Sequence, residues 1–251
     1  MSDLAIDRVV KRFGGVTAVD GLSLSVPSGR ITGLIGPNGA GKTTVINLIT
    51  GIDEPTAGQI RLSEEVITGR SQEAIARLGV GRTFQNIRLL REASVLANVV
   101  VGFHRHEKTS LFANLFGLPS VWQERRDFIT RGRRLLDRFT MSSFADLPAS
   151  ALSYGHQRRV EIMRALAMDP QFLLLDEPVA GMSLVEANEL GGIFRSLANQ
   201  GLGILLIEHN VAFVTETCDY VYVIDAGRLI AEGHPDAVCR DPAVIAAYLG
   251  E

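Results

Sequence analysis

The sequence predicts an α/β fold on a mixed sheet, with an antiparallel β subdomain at its start and an inserted α-helical subdomain. Three observations carry that reading. Residues 4–35 hold short runs of alternating apolar and polar side chains, and two later apolar runs are separated by a helix-length segment. Between about 86 and 150 the texture turns to longer, arginine-bearing segments.

Taken in order, residues 4–10 and 22–26 alternate with period two, residues 27–29 (Pro-Ser-Gly) supply a turn, and residues 30–35 lead into a glycine-rich loop. An antiparallel sheet is expected to open the fold. Residues 43–50 have the content of a helix, with Val45, Ile46, Leu48 and Ile49 apolar and Gly51 placed to end it. Residues 123–138 read as a helix within the insert, where ten Lys or Arg stand against six Asp or Glu. A helix is expected near Ser153, then an apolar strand over 172–175, a helix over about 185–198 and a second apolar strand over 204–207. Apolar runs alternating with helices indicate parallel strands covered on both faces. Residues 220–230 read as a hairpin turning at Asp225-Ala-Gly227, and a short helix near 242–249 follows. One domain over 1–251 is expected, with 1–85 and 151–251 as its core and about 86–150 as the helical subdomain.

Composition narrows the function classes. With 46% apolar and 21% charged residues, the chain is neither a disordered tail nor a coiled-coil rod. A formal charge of −3 lacks the broad basic surface that displaces counterions from nucleic acid, so that partner is disfavoured. The longest uncharged stretch, residues 109–123, is 15 residues and carries Asn114, Gly117 and Pro119, too short and broken to cross a bilayer. The first residues carry acids where a secretory signal needs a basic region and an apolar run, so the chain is expected to stay where it is made. Cys218 and Cys239 stand without a CxxC or Cys/His spacing and read as small buried hydrophobes, not as zinc ligands or a disulfide.

Gly36-Pro37-Asn38-Gly39-Ala40-Gly41-Lys42-Thr43 fits GxxxxGK[ST] between an expected strand and an expected helix. Small residues let successive N–H groups turn inward around phosphate oxygens, the helix directs its positive end at them, Lys42 adds a cation, and the Thr43 hydroxyl can ligate Mg²⁺. The core is therefore read as a P-loop NTPase, with Thr44 beside the loop as a further ATP contact. The strand ending in Asp176-Glu177 places two carboxylates where desolvation demands a ligand or partner. Asp176 is expected to hold Mg²⁺ through its water shell, and Glu177 to orient or deprotonate the water attacking the γ-phosphate. Leu152-Ser-Tyr-Gly-His-Gln157 opens a helix, where Ser153 and Gly155 offer a hydroxyl and free N–H groups; taken alone, Ser153 is an ordinary N-cap.

The order of these motifs resembles the ATP-binding subunits of ABC transporters over nearly the whole chain. It runs from Phe13 through the P-loop, Gln85 in Arg82-Thr-Phe-Gln-Asn, the helical insert, the signature at 152–157, the carboxylates, a turn at Ala180-Gly-Met-Ser183, and Glu208-His209. More narrowly it is similar to the LivG type of branched-chain amino acid importer ATPase, in Arg-Thr-Phe-Gln-Asn-Ile-Arg-Leu at 82–89, Val101-Gly-Phe-His104, the signature Leu-Ser-Tyr-Gly, and the ending Ala247-Tyr-Leu-Gly-Glu251. The resemblance implies that Phe13 stacks on adenine, Gln85 contacts Mg²⁺ and the attacking water, and His209 contacts the γ-phosphate. The alternatives are a half-buried strand aromatic for Phe13, a loop amide for Gln85 and a capping or surface imidazole for His209. Two departures stand out: His156 where the family often has Gln, and Ser183 where the turn usually carries Asn or Asp.

The resemblance further implies an ATP-hydrolysing subunit, cytoplasmic and peripheral on the inner face of the cell membrane. It would work with a second ABC ATPase subunit, identical or not, two membrane permease subunits and an external solute-binding protein. The signature of one ATPase would complete the γ-phosphate site of the other, and the insert would form a groove for a short helix of the membrane subunit. The basic excess of the insert reads as a solvated helical face, with a surface near anionic lipid or an acidic loop as the alternative. A soluble ABC-type switch acting on nucleic acid or ribosomes is the rival reading, and an exporter subunit a third. The solute is not written in this chain; branched-chain amino acids are the family default.

Overall fold

The computed structural model describes residues 3–84, 87–107 and 119–249. β1 (Asp3–Phe13) and β2 (Val16–Pro27) pair antiparallel, with Leu4 opposite Val26 and Ile6 opposite Leu24. Their alternation therefore buries Leu4, Ile6, Leu22, Leu24 and Val26 on one face. β4 (Ala57–Leu62) pairs with the other side of β1 and β5 (Glu65–Val66) extends it, giving the order β2-β1-β4-β5.

β3 (Ile31–Ile35) leaves this sheet for a second one of order β10-β9-β3-β8-β7-β6. Its other members are β6 (Val80–Arg82), β7 (Phe172–Asp176), β8 (Gly203–Ile207), β9 (Tyr220–Asp225) and β10 (Arg228–Gly233). All run parallel except β10, which returns antiparallel along β9, so the sheet is mixed. β4, β5 and β6 have no counterpart in the sequence reading: β5 and β6, of two and three residues, are too short to establish a period, and β4 has only Ile60 and Leu62 as buried alternating positions.

The central strands are apolar throughout because both faces are covered. Leu173 and Leu175 of β7, Ile204 and Leu206 of β8, and Val221 and Val223 of β9 enter one core with Val160, Ile162, Leu190 and Phe194. Phe172, Leu174, Leu205, Ile207, Tyr222 and Ile224 enter the other, with Val45, Ile46 and the buried face of the antiparallel sheet. Among the described residues, the helical side chains in these cores come chiefly from α1 (Lys42–Ile49), α3 (Val95–Val101), α5 (Tyr154–Leu166), α6 (Leu184–Ala198) and α7 (Val211–Thr217), with Ile75 of α2 (Gln72–Arg77), Leu136 of α4 (Pro119–Arg138), Val238 of α8 (Pro235–Val238) and Val244 of α9 (Pro242–Leu249) added to them. α7, like α2, was not legible beforehand; it is one short turn-rich helix capped by Asn210.

Register sets the functional end of the sheet. Ile207 lies opposite Leu34 on one side and Asp176 on the other, so the loops after β3, β7 and β8 emerge together at the carboxyl ends of three adjacent strands. Among the described residues no helix is long and apolar enough to cross a membrane. Cys218 is buried, its thiol pushed up to about 12 by that burial, whereas Cys239 is only partly covered; both are free thiols.

Candidate functional site

The glycine-rich loop is shaped by two positions that admit no side chain. Gly36 has φ 151, and a Cβ there would lie 2.0 Å from the Ile224 carbonyl oxygen; Gly41 has φ 103, and its Cβ would lie 2.4 Å from that of Ala18. Gly41 is also the N-cap of α1, where no side chain caps the helix, leaving its first N–H groups to an anion. Lys42 is almost fully buried, and its Nζ donates to the carbonyl oxygens of Gly36 at 2.7 Å and Pro37 at 2.9 Å. Burial pushes its pKa down while the charges of Glu177 and Asp176 oppose that shift. The ammonium thus lies folded over the loop, beside two carboxylates.

Asp176 ends β7 with one oxygen in difficulty. Its Oδ2 is buried without a hydrogen-bond partner, and the nearest cation, Arg82, stands 3.7 Å away. Burial pushes the carboxyl up, chiefly against Arg82. An orphaned carboxylate oxygen that interacts electrostatically with Lys42, next to the exposed Thr43 in the chain, suits a hard cation that takes its remaining ligands from phosphate and water. Among the described residues no three His, Cys, Asp or Glu side chains form a cage of their own, so the donor set fits Mg²⁺ bound together with a nucleotide.

Glu177 follows with φ 49, a conformation costly for a non-glycine residue, of order 1–3 kcal/mol. Its N–H donates to Ile207 O at 2.9 Å, which ties the turn to β8. Its Oε1 lies 3.6 Å from Nδ1 of the half-exposed His209. Glu208, fully buried, accepts from the N–H of Val179 at 3.1 Å and of His209 at 3.2 Å, clasping the loops that carry Glu177 and His209. Burial pushes its carboxyl up. The sequence reading used Glu208 only as a neighbour of His209.

The helix α5 supplies a second clasp that the sequence reading missed. Arg158, 1% exposed, donates to the carbonyl oxygens of Phe84 and Asp176 and, at 3.2 Å, of Glu177, and pairs with Glu161 at 2.7 Å. Glu161 Oε1 in turn accepts from Phe84 N–H at 3.3 Å. Two opposite charges three apart, Arg158 and Glu161, on a helix that also carries Val160, Ile162 and Met163 were the available signal, since buried charges must be paired. Gln85 itself lies outside the described residues, but the residue before it is held at both its N–H and its C=O by this pair.

The remaining candidates sit apart. Ser153 is the exposed N-cap of α5 and accepts from His156 N–H at 3.4 Å; Gly155 is buried against Met182. No hydrogen bond among the described residues joins Ser153 to the glycine-rich loop of its own chain. His156 turns its ring onto Phe144, centroids 4.7 Å apart. Ser183 caps α6 in a reciprocal pair with Glu186, the N-cap role that Asn or Asp also fills. Phe13, at the end of β1, is 46% exposed, with Lys11 Nζ 4.7 Å over its ring, so a face is available for stacking. Away from the loop, a groove of about 590 Å³ opens between Arg82, Phe84, Val101, Arg105 and Arg164.

Comparison with known proteins agrees with this geometry. A family model described as ABC transporter matches residues 19–180, and one described as branched-chain amino acid ATP-binding cassette transporter matches residues 228–251. The chain is 43% identical over 249 residues to the high-affinity branched-chain amino acid transport ATP-binding protein LivG of Salmonella typhimurium, covering 99% of this chain and 98% of that one. It is 36% identical over 251 residues to the lipopolysaccharide export system ATP-binding protein LptB of Escherichia coli, covering 100% and 98%. A crystal structure of a nucleotide-free ATP-binding cassette from an ABC transporter superposes with a TM-score of 0.87 at 34% identity, covering 100% of both chains.

Proposed function

The chain belongs to the ATP-binding cassette transporter family, and on that premise we propose that it is the ATP-hydrolysing subunit of an importer for branched-chain amino acids. The observation that carries import is the likeness to LivG, closer than that to LptB, together with the branched-chain model over residues 228–251. An exporter subunit is the second reading, because LptB also aligns from end to end.

The residues divide the work as follows. Gly36 to Thr44 hold the phosphates, with the free N–H groups of α1 and the Lys42 ammonium exchanging its two carbonyl partners for phosphate oxygens. Phe13 offers its open face to adenine. Thr43, Gln85 and Asp176 are the ligands of Mg²⁺, directly or through water, and the ion supplies charge neutralisation on the phosphates. Glu177 accepts the proton of the attacking water, with His209 poised between that carboxylate and the γ-phosphate. Ser153, exposed at the start of α5, and Gly155 beside it serve the γ-phosphate held by a second ATPase subunit, so ATP closes the pair and hydrolysis reopens it.

Residues 1–85 and 151–251 form the nucleotide-binding core and about 86–150 the helical subdomain, with the groove beside Phe84 receiving a short helix of a membrane subunit. Two permease subunits and an external solute-binding protein complete the assembly, and this chain lies on the inner face of the cell membrane. Deleting the gene should abolish energy-dependent uptake of labelled leucine. Return of the unaltered chain should restore it, and return of a Lys42→Ala chain should not. Undiminished uptake of leucine, isoleucine and valine in the deletion strain would overturn the import reading.

A further inference from the structure

The two ends of the glycine-rich loop are held by residues from the last part of the chain, more than 180 positions away. At its far end Gly227, in the β9–β10 turn, donates its N–H to Ala40 O at 3.0 Å and accepts from Asp20 N–H at 2.9 Å. At its near end Gly36 lies against the Ile224 carbonyl, and its N–H donates to the Tyr248 hydroxyl at 3.0 Å. Tyr248 is on α9, which Val244 anchors in the core.

We propose that Tyr248 is a positioning residue for ATP: its hydroxyl fixes the Gly36 end of the glycine-rich loop, so that α9 presets the phosphate cradle. The inference rests on the reading of Gly36 to Thr43 as the ATP cradle. Gly36 is where such a tether has most effect. Its φ of 151 is open to glycine's wide conformational freedom, so the sequence of the loop does not by itself choose this conformation. The Ile224 carbonyl limits movement on one side, and the hydroxyl supplies the directional contact on the other. Burial pushes the Tyr248 phenol up, so it is a neutral acceptor at physiological pH. A tether made before ATP arrives lowers the ordering cost of binding and leaves the chemical step to Glu177 and its neighbours.

Tyr248→Phe removes the hydroxyl and keeps the ring, and Tyr248→Ala removes both. In the full-length chain, Tyr248→Phe should raise the KM for ATP about three- to tenfold, the weight of one hydrogen bond, with kcat within about twofold. Hydrogen exchange of the Gly36 amide without nucleotide should quicken by a similar factor. A role confined to ring packing would show in Tyr248→Ala alone, leaving Tyr248→Phe like the unaltered chain in both measurements, and that result would overturn the proposal. Slow exchange at Gly36 in the unaltered chain and its quickening in Tyr248→Phe are read without ATP, so they judge the tether even where the cradle reading fails. That separate failure would show as unchanged ATP affinity in Lys42→Ala.

Discussion

The guanidinium of Arg158, on α5, donates to the backbone carbonyl of Glu177 at 3.2 Å, 19 positions further along the chain. The same side chain reaches the carbonyls of Phe84 and Asp176, so the chain just after β6 and the end of β7 both hang on one buried cation of α5.

Arg158→Met should therefore destabilise the fold by about 3–5 kcal/mol, because Glu161 is left buried and unpaired. Arg158→Met with Glu161→Leu should recover much of that loss in denaturant titrations yet keep steady-state ATP turnover at least about tenfold low, the carbonyls being unanchored. A double variant with ordinary turnover would show the clasp to be purely structural.

Glu177→Gln should retain ATP binding, lower turnover by about 10²-fold or more, and accumulate an ATP-bound dimer, since the amide keeps the shape and loses the base. Steady-state hydrolysis and the mass by light scattering with Mg-ATP check this. Full turnover would move the proton acceptor elsewhere.

Ser153→Arg should block the composite site in the partner while sparing ATP binding to its own loop, and Lys42→Ala should do the converse. Mixed together, the two variants leave one intact pairing of loop and signature, so ATP-dependent association should reappear that neither shows alone. If the physiological partner is a different ATPase, it replaces one variant in the mixture. Absence of rescue in both pairings, with both chains folded, would count against Ser153 acting in trans.

The capping pair of Ser183 and Glu186 gives a pH signature. Hydrogen bonds from the backbone and side chain of Ser183 hold the Glu186 carboxyl below its ordinary value of 4.5. The folded state thus favours the carboxylate. Its contribution is complete above that ordinary value and is lost as pH falls through the lowered one. The difference in Tm between the unaltered chain and Glu186→Gln should be constant from about pH 6 to 8 and shrink as pH falls below that ordinary value. A gap that persists in acid would exclude the charge as its source.

Local chemistry was legible and remote chemistry was not. Gly36 to Thr43 announce themselves because the loop's own residues make the cradle, and Asp176 because a carboxylate ends an apolar strand. Beyond its own helix the partners of Arg158 are the backbone carbonyls of Phe84, Asp176 and Glu177, which any residue would provide, and Tyr248 meets Gly36 across 212 positions. The spacing of Arg158 and Glu161 points to a buried pair, but nothing in a local window encodes where these remote contacts fall. Likewise β6 is three residues long and is recognisable only from its pairing with β7, Val80 opposite Phe172. Ser183, a departure when judged by residue identity, turned out to fill the same capping geometry by other atoms.

The division of β7 between two cores bears on how such a chain can evolve. Phe172 and Leu174 serve one interior, Leu173 and Leu175 the other, and the strand ends on the Asp176 carboxylate. Gain or loss of a single residue inside it would exchange the two interiors' side chains and shift Asp176 out of line with Ile207. Loops between elements can lengthen or shorten by drift, at little cost in closure entropy. β7, like β8 and β9, which are divided between the same two interiors, is expected to change by substitution, letter for letter, and not by insertion or deletion.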